Sequence, residues 1–286
     1  MAAIGLGGPS NWGHLPSSLC GLVAAKLLDE DDYNVLYGHS FCNARLVCSH
    51  WAKVMAPEVT MLFTSSWSPH VCAFPRLELL AVSGRELQPC CLNLVTLQRL
   101  QELSLENCSL SAGELASLSC LQGLRHLRVS VDRAGAGASE ELAAALRALP
   151  PSLITLHLRR LPPSAESAWA AALAERSNLQ NLGVHCAGGS NLGDRELELL
   201  HALSELQGLE LTGSSGSDMG YSALVLALCH SLVDVELKQC SSVNCQGLTL
   251  AALLECSCLK YLRVDSCPHL DAADVQLVLD RVKHTS

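Results

Sequence analysis

Residues 232–240 read LVDVELKQC and residues 259–267 read LKYLRVDSC. Both follow one pattern: Leu, two residues, Val or Leu, one residue, Leu or Val, two residues, Cys. Outward from this pair, Leu-x-x-Leu-x-Leu, with Val allowed at the second or third apolar place, recurs along the chain. Eight copies begin at Leu77, Leu100, Leu124, Leu153, Leu179, Leu206, Leu232 and Leu259, at spacings of 23, 24, 29, 26, 27, 26 and 27 residues. A near-constant period of this length means one supersecondary unit used repeatedly. The alternating core of each copy predicts a short strand with its apolar side chains on one face. Stretches with helical apolar spacing follow, such as Leu142, Leu146 and Leu149, or Leu248, Ala251, Ala252 and Leu253. One unit cannot bury its apolar face alone, so neighbours stack. The fold class expected is α/β: a solenoid with parallel strands on its concave face and helices on its convex face.

Composition agrees. Of 286 residues 57 are leucine, 49% of the chain is apolar, 16% is charged and 4% is aromatic, with a formal net charge of −9. Such a chain can bury a sizeable core, and its acidic balance lacks the clustered Lys and Arg that nucleic-acid binding needs. No window reaches the roughly 18 unbroken apolar residues of a membrane span. Met1–Leu15 has neither a charged n-region nor an apolar h-region, so no secretory signal is expected. The fifteen cysteines are expected to be thiols in a reducing compartment, the cytoplasm or nucleus. Cys108, Cys240 and Cys267 each stand eight residues after the first leucine of their copy, and Cys229 and Cys256 stand three before it. Cysteines locked to a structural period read as small packing residues at the turns. No compact ligand set for a metal appears, and none is expected. Phosphate-loop, dinucleotide, zinc-protease and serine-hydrolase motifs are missing as well, so neither a cofactor nor an enzymatic activity is expected.

The two C-terminal copies, with their terminal cysteine, resemble the cysteine-containing subclass of leucine-rich repeats, a likeness that extends over residues 76–286. The segment before them has another character. LPSSLCGLVAAKL (15–27) places Leu19, Val23 and Leu27 on one helical face behind Pro16, and ARLVCSHWAKVM (44–55) places Val47, Trp51 and Val54 on another. Leu-Pro-x-x-Leu, a gap, then Arg-Leu-Val-Cys-x-x-Trp resembles an F-box. By that resemblance Leu15, Pro16, Leu19, Val23, Val47, Cys48 and Trp51 form the packing and the adaptor-facing surface of a short all-α module. The resemblance implies binding to a Skp-type adaptor and through it to a cullin scaffold, in the substrate receptor of a ubiquitin ligase. The alternative is a helical cap that shields the first repeat of a free-standing interaction scaffold. The domains expected are a flexible N-terminus (1–14), the F-box-like module (15–60), a linker (61–75) and about eight repeats (76–286).

In each copy the residues two, four and six places after the first leucine should line the concave face. They include His126, Arg128, His157, Arg159 and His185 in the middle copies, then Gly208, Glu210, Thr212, Asp234, Glu236, Lys238, Tyr261, Arg263 and Asp265. The middle group predicts a basic patch on adjacent strands, suited to an acidic or phosphorylated segment of a substrate protein. Lys238, Tyr261 and Arg263 extend the candidate surface.

Overall fold

The computed structural model describes residues 60–64, 74–82, 94–131, 138–161, 167–186, 192–240, 248–267 and 272–285. The F-box-like positions Leu15, Pro16, Leu19, Val23, Val47, Cys48 and Trp51 lie outside the described residues. Among the described residues nine strands form one parallel sheet in strict sequence order. They are β1 (Met61–Thr64), β2 (Leu79–Val82), β3 (Glu102–Leu110), β4 (His126–Val131), β5 (Thr155–Leu161), β6 (Asn181–Cys186), β7 (Gly208–Thr212), β8 (Asp234–Lys238) and β9 (Tyr261–Asp265). Among the described residues six α-helices occupy the crossovers from β3 to β9, α1 (Ala112–Ser117), α2 (Ala138–Ala148), α3 (Ala168–Ala174), α4 (Asp194–Leu200), α5 (Asp218–Leu228) and α6 (Leu248–Glu255), and a seventh, α7 (Ala272–Thr285), follows β9. Each helix packs on the next, and each strand on the next. This is a leucine-rich α/β solenoid. No helix among the described residues is long and apolar enough to cross a membrane.

The leucine places explain the stacking. In every copy from Leu77 to Leu259 the first, fourth and sixth positions are buried, apart from half-buried Val264 at the C-terminal end. Each such side chain contributes roughly 1.5–3 kcal/mol of transfer free energy, and the parallel register sets like on like across the sheet. Leu127, Leu156, Leu182 and Leu209 stand in one row as strand partners.

The sheet starts earlier than the repeat pattern predicts. Met61–Thr64, in the stretch read as a linker, pairs in parallel with β2, setting Leu62 beside Leu80 and Thr64 beside Val82. Leu62 is buried like the leucines that follow it. Thr64 stands where the pattern demands an aliphatic residue, so the copy is invisible to a search for three apolar places. The helix reading also shifts in α6. Leu248 is 54% exposed and Ala251 is exposed, while Thr249, Leu250, Ala252 and Leu253 form the buried face.

The periodic cysteines do more than fill space. Cys108, Cys240 and Cys267 are buried thiols, and each Sγ donates to the backbone carbonyl at the sixth place of the preceding copy: Val82, Leu211 and Leu237 respectively. The thiol thus forms a rung between neighbouring repeats just where the strand ends. Burial pushes the Cys108 thiol up to about 11 and the Cys256 thiol up to about 12, well away from a reactive thiolate. The place after each strand is also fixed by backbone geometry. Arg160, Gly213, Gln239 and Ser266, all seven residues after the first leucine of their copy, have φ of 59°, 69°, 54° and 54°. This left-handed turn aims the N–H of Gly213 at Lys238 O, and that of Gln239 at Asp265 O, in the next strand.

Candidate functional site

The strand face opposite the helices carries the polar positions in three rows. Parallel register places Arg128, His157, Gly183, Glu210, Glu236 and Arg263 side by side in the middle row. Ser130, Arg159, His185, Thr212, Lys238 and Asp265 form the row beside it. His126, Thr155, Asn181, Gly208, Asp234 and Tyr261 form the third. Neighbouring strands are about 4.8 Å apart, so side chains on adjacent strands touch, and long ones reach two strands away.

The convergence is on Glu210. His157 Nδ1 lies 3.3 Å from Glu210 Oε2, and His185 Nε2 lies 3.3 Å from Glu210 Oε1. Lys238 Nζ stands 3.2 Å from Glu210 Oε1 and 2.9 Å from Glu236 Oε1. Arg263 closes the array at 3.1 Å from Glu236. The His157, His185 and Glu210 side chains are each less than one-fifth exposed. The His157 contact, then those of His185 and Lys238, hold the Glu210 carboxyl well below the usual carboxylate range against the opposing effect of burial.

His157 and Glu210 are not on neighbouring strands, since β6 runs between them. Gly183 makes their contact possible. A methyl group at Gly183 would collide with the His157 ring, so the imidazole crosses the space where any other residue would put its Cβ. His185 approaches from the adjacent row. Its Nε2 is buried and, although 3.3 Å from Oε1, lacks the alignment of a hydrogen bond.

The basic patch expected in the middle copies is therefore not a free one. His157 and His185 are committed to Glu210, and Lys238 and Arg263 to Glu236. The reason is side-chain reach: the His157 ring crosses Gly183 to meet Glu210 two copies downstream, and the other pairs lie on adjacent strands or on one strand. What stays open is the N-terminal side of the patch. Arg128 is exposed and makes no ion pair among the described residues, His126 is half-buried, and Arg159 keeps its Nε without a hydrogen-bond partner. At the other end Tyr261 is 66% exposed. Glu210, Glu236 and Gly183 are the members of the site that the search for basic residues passed over. The fifth position of each copy sets His157, Gly183 and Glu210 in one line, but that alignment does not give the reach of His157 across Gly183.

His157, His185 and Glu210 also form a set of possible metal ligands, their donor atoms all within 4.8 Å of one another. The sequence predicts no metal site, because it holds no compact ligand set at short local spacing. Here the spacings are the repeat period itself.

No protein-family model matches the chain, and no curated protein matches it. Among solved structures, the leucine-rich-repeat ectodomain of the Arabidopsis receptor kinase HAESA, in complex with an N-terminally extended IDA peptide hormone ligand, is similar at 17% identity and a TM-score of 0.42, over 69% of this chain and 31% of that one. This chain thus spans less than a third of the HAESA chain it matches. Internalin C2 of Listeria monocytogenes is similar at 15% identity and a TM-score of 0.34, over 77% of this chain and 73% of that one.

Proposed function

We propose that this chain is a protein-binding solenoid that holds a partner segment on its open sheet face and performs no chemistry on it. The observation that carries this reading is the face itself: three rows of polar positions at strand pitch, unobstructed by any helix among the described residues, with Arg128 and Tyr261 left exposed among groups already paired. An extended segment laid across the strands would meet a cation at Arg128 and an aromatic anchor at Tyr261, the residue types that dominate binding energy at interfaces. An acidic or phosphorylated segment suits the unpaired cation.

In its fuller form the proposal makes the chain the substrate receptor of a Skp–cullin–F-box ubiquitin ligase. The support is the order of segments, with F-box-like residues ahead of cysteine-bearing repeats. The receptor's contribution would be tethering, which raises the substrate's effective concentration near transfer machinery supplied by other subunits. The test is co-precipitation of the full chain with a Skp adaptor, wild type beside Leu19→Asp and Val47→Asp, with melting recorded for each. Capture by the wild type and loss in folded variants is expected. A wild type that fails to capture the adaptor would leave residues 15–60 as a cap and the chain as a scaffold.

A further inference from the structure

Two imidazole nitrogens and a carboxylate from three consecutive strands point at one small volume. The 3.3 Å separations, His157 Nδ1 to Glu210 Oε2 and His185 Nε2 to Glu210 Oε1, have a meaning beyond ion pairing. In a tetrahedral site with metal–ligand bonds of about 2.0 Å, the distance from one ligand atom to the next is about 3.3 Å. Each imidazole meets a different carboxylate oxygen, and all the donor atoms lie within 4.8 Å of one another, so a small shift of the carboxylate would gather them around one ion. Two further features favour an ion over a simple ion pair. The Nε2 of His185 is buried, close to the carboxylate and yet unaligned with it, and buried polar atoms rarely go without a partner. Gly183 clears the path that lets His157 enter the site at all.

We propose that His157, His185 and Glu210 form a binding site for a divalent transition-metal ion, with Zn²⁺ the ion that fits, whose fourth coordination position faces the open sheet surface. Imidazole ligands select zinc and its neighbours, whereas calcium and magnesium require oxygen-rich shells that this site does not provide. Three protein ligands with one open position are the pattern of a site that accepts water or an external donor. Binding requires both imidazoles neutral, with His157 protonated at Nε2 and His185 at Nδ1, so that each offers its lone pair to the ion. The Lys238 ammonium competes for Glu210 Oε1, but it already holds Glu236 at the shorter distance of 2.9 Å. It can give up Glu210 without losing its carboxylate partner. The inference does not depend on the proposed function, because the site is complete without a partner protein.

The test is titration of the purified full chain with Co²⁺, followed by visible and near-ultraviolet absorption, and with Zn²⁺ in competition with a chromophoric chelator. The fifteen cysteines make the spectrum decisive, since thiolate ligation adds a strong sulfur-to-cobalt charge-transfer band. The expected result is one equivalent bound through nitrogen and oxygen, without that band. His157→Ala, His185→Ala and Glu210→Gln should each weaken binding by at least about tenfold, because even the supporting partners of metal ligands are worth about 10–100-fold. His126→Ala, on the same face and outside the cluster, should bind as the wild type does. Circular dichroism establishes that each variant is folded. If Glu210→Gln fails to fold, the two histidine variants carry the test. A wild type that binds no Co²⁺, a thiolate band, or undiminished binding by His185→Ala would each overturn the proposal.

Discussion

Arg176 illustrates how a charged residue becomes structural in this fold. Its guanidinium is buried and donates to Leu146 O at 3.0 Å, Leu149 O at 3.2 Å and the carbonyl of Pro150, closing the C-terminal end of α2 from the following repeat. Leu146 O and Pro150 O also accept the N–H groups of Leu149 and Leu153, at 3.4 and 3.3 Å, while Leu149 O takes the guanidinium as its donor. Arg176→Met keeps the stem and removes the donors, leaving the Leu149 carbonyl unsatisfied at about 1–3 kcal/mol. The expected loss in urea unfolding is on the order of 2 kcal/mol. Arg147, which pairs with Glu175 at 3.0 Å on the surface, is the control: Arg147→Ala should change stability by less than about 1 kcal/mol. Equal losses would mean that the capping role assigned to Arg176 is wrong. Gly213 supplies a second residue-scale prediction. Its backbone is left-handed like that of Gln239, but only at Gly213 would a Cβ lie 2.6 Å from a carbonyl oxygen, that of Cys186. Gly213→Ala therefore combines the left-handed cost of about 1–2 kcal/mol with a backbone clash. Gln239→Ala adds neither and should melt within a few degrees of the wild type.

Between elements, helix N-termini are linked in series. Asp194 at the start of α4 accepts the N–H and hydroxyl of Ser217, at 2.6 and 2.7 Å, and Ser217 in turn caps α5. Asp218 at the start of α5 accepts Leu248 N–H at 2.7 Å and Thr249 Oγ1 at 2.6 Å, where α6 begins. Each carboxylate thus serves the positive ends of two helix dipoles. Asp218→Ala should cost about 1–2 kcal/mol, roughly the lost cap, because the hydroxyl of fully buried Thr249 keeps its bond to the Asp218 carbonyl at 3.0 Å. A chemical-denaturation midpoint unchanged from the wild type would refute it. These links mark the limit of what the sequence makes legible. The strands could be read because burial demands the same residue type at the same place in every copy. The Asp194 and Asp218 contacts cross repeats through loops of unequal length, so no fixed offset encodes them. The same holds for the site. Its histidines and arginines were visible as outward positions, and the Arg128 and His157 neighbours in adjacent strands follow from register alone. That Glu210 would engage His157 as well as His185 depends on reach across Gly183, which a sum over charges does not contain. Strand β1 was missed for a simpler reason, the threonine in its third apolar place.

At the scale of the whole molecule, nearest-neighbour stacking makes stability a sum over repeats and the interfaces between them, so a group buried at an interface loads the entire chain. The thiols are such groups, which predicts an unusual response to alkali. Cys108 and Cys256 have folded values pushed by burial to about 11 and about 12, above that of a thiol in the unfolded chain. Tyr221, buried in α5, is raised in the same direction. A group raised in the folded state contributes its full stability below its unfolded value and loses it as pH rises through the folded one. From about pH 9 upward the unfolded chain therefore releases protons that the folded chain still holds, and each such group removes up to about 1.4 kcal/mol per pH unit. Lys238 acts with the same sign, held above its ordinary value chiefly by Glu236, so the measurement has to separate thiols from the ammonium. Wild type and a Cys108→Val, Cys256→Val double variant would be unfolded in urea at a series of pH values from 7 to 11. Cys267, held down to about 7 by its hydrogen bond with Cys240, acts with the opposite sign below about pH 9. It is present in both proteins, so the comparison rests on the difference between the two curves. Above about pH 9 the wild-type midpoint should fall the more steeply. The double variant, with neither thiol to ionise, should fall less, and the gap between the two curves should widen with each pH unit. Parallel curves would show that the thiols at these positions serve only as filler between repeats.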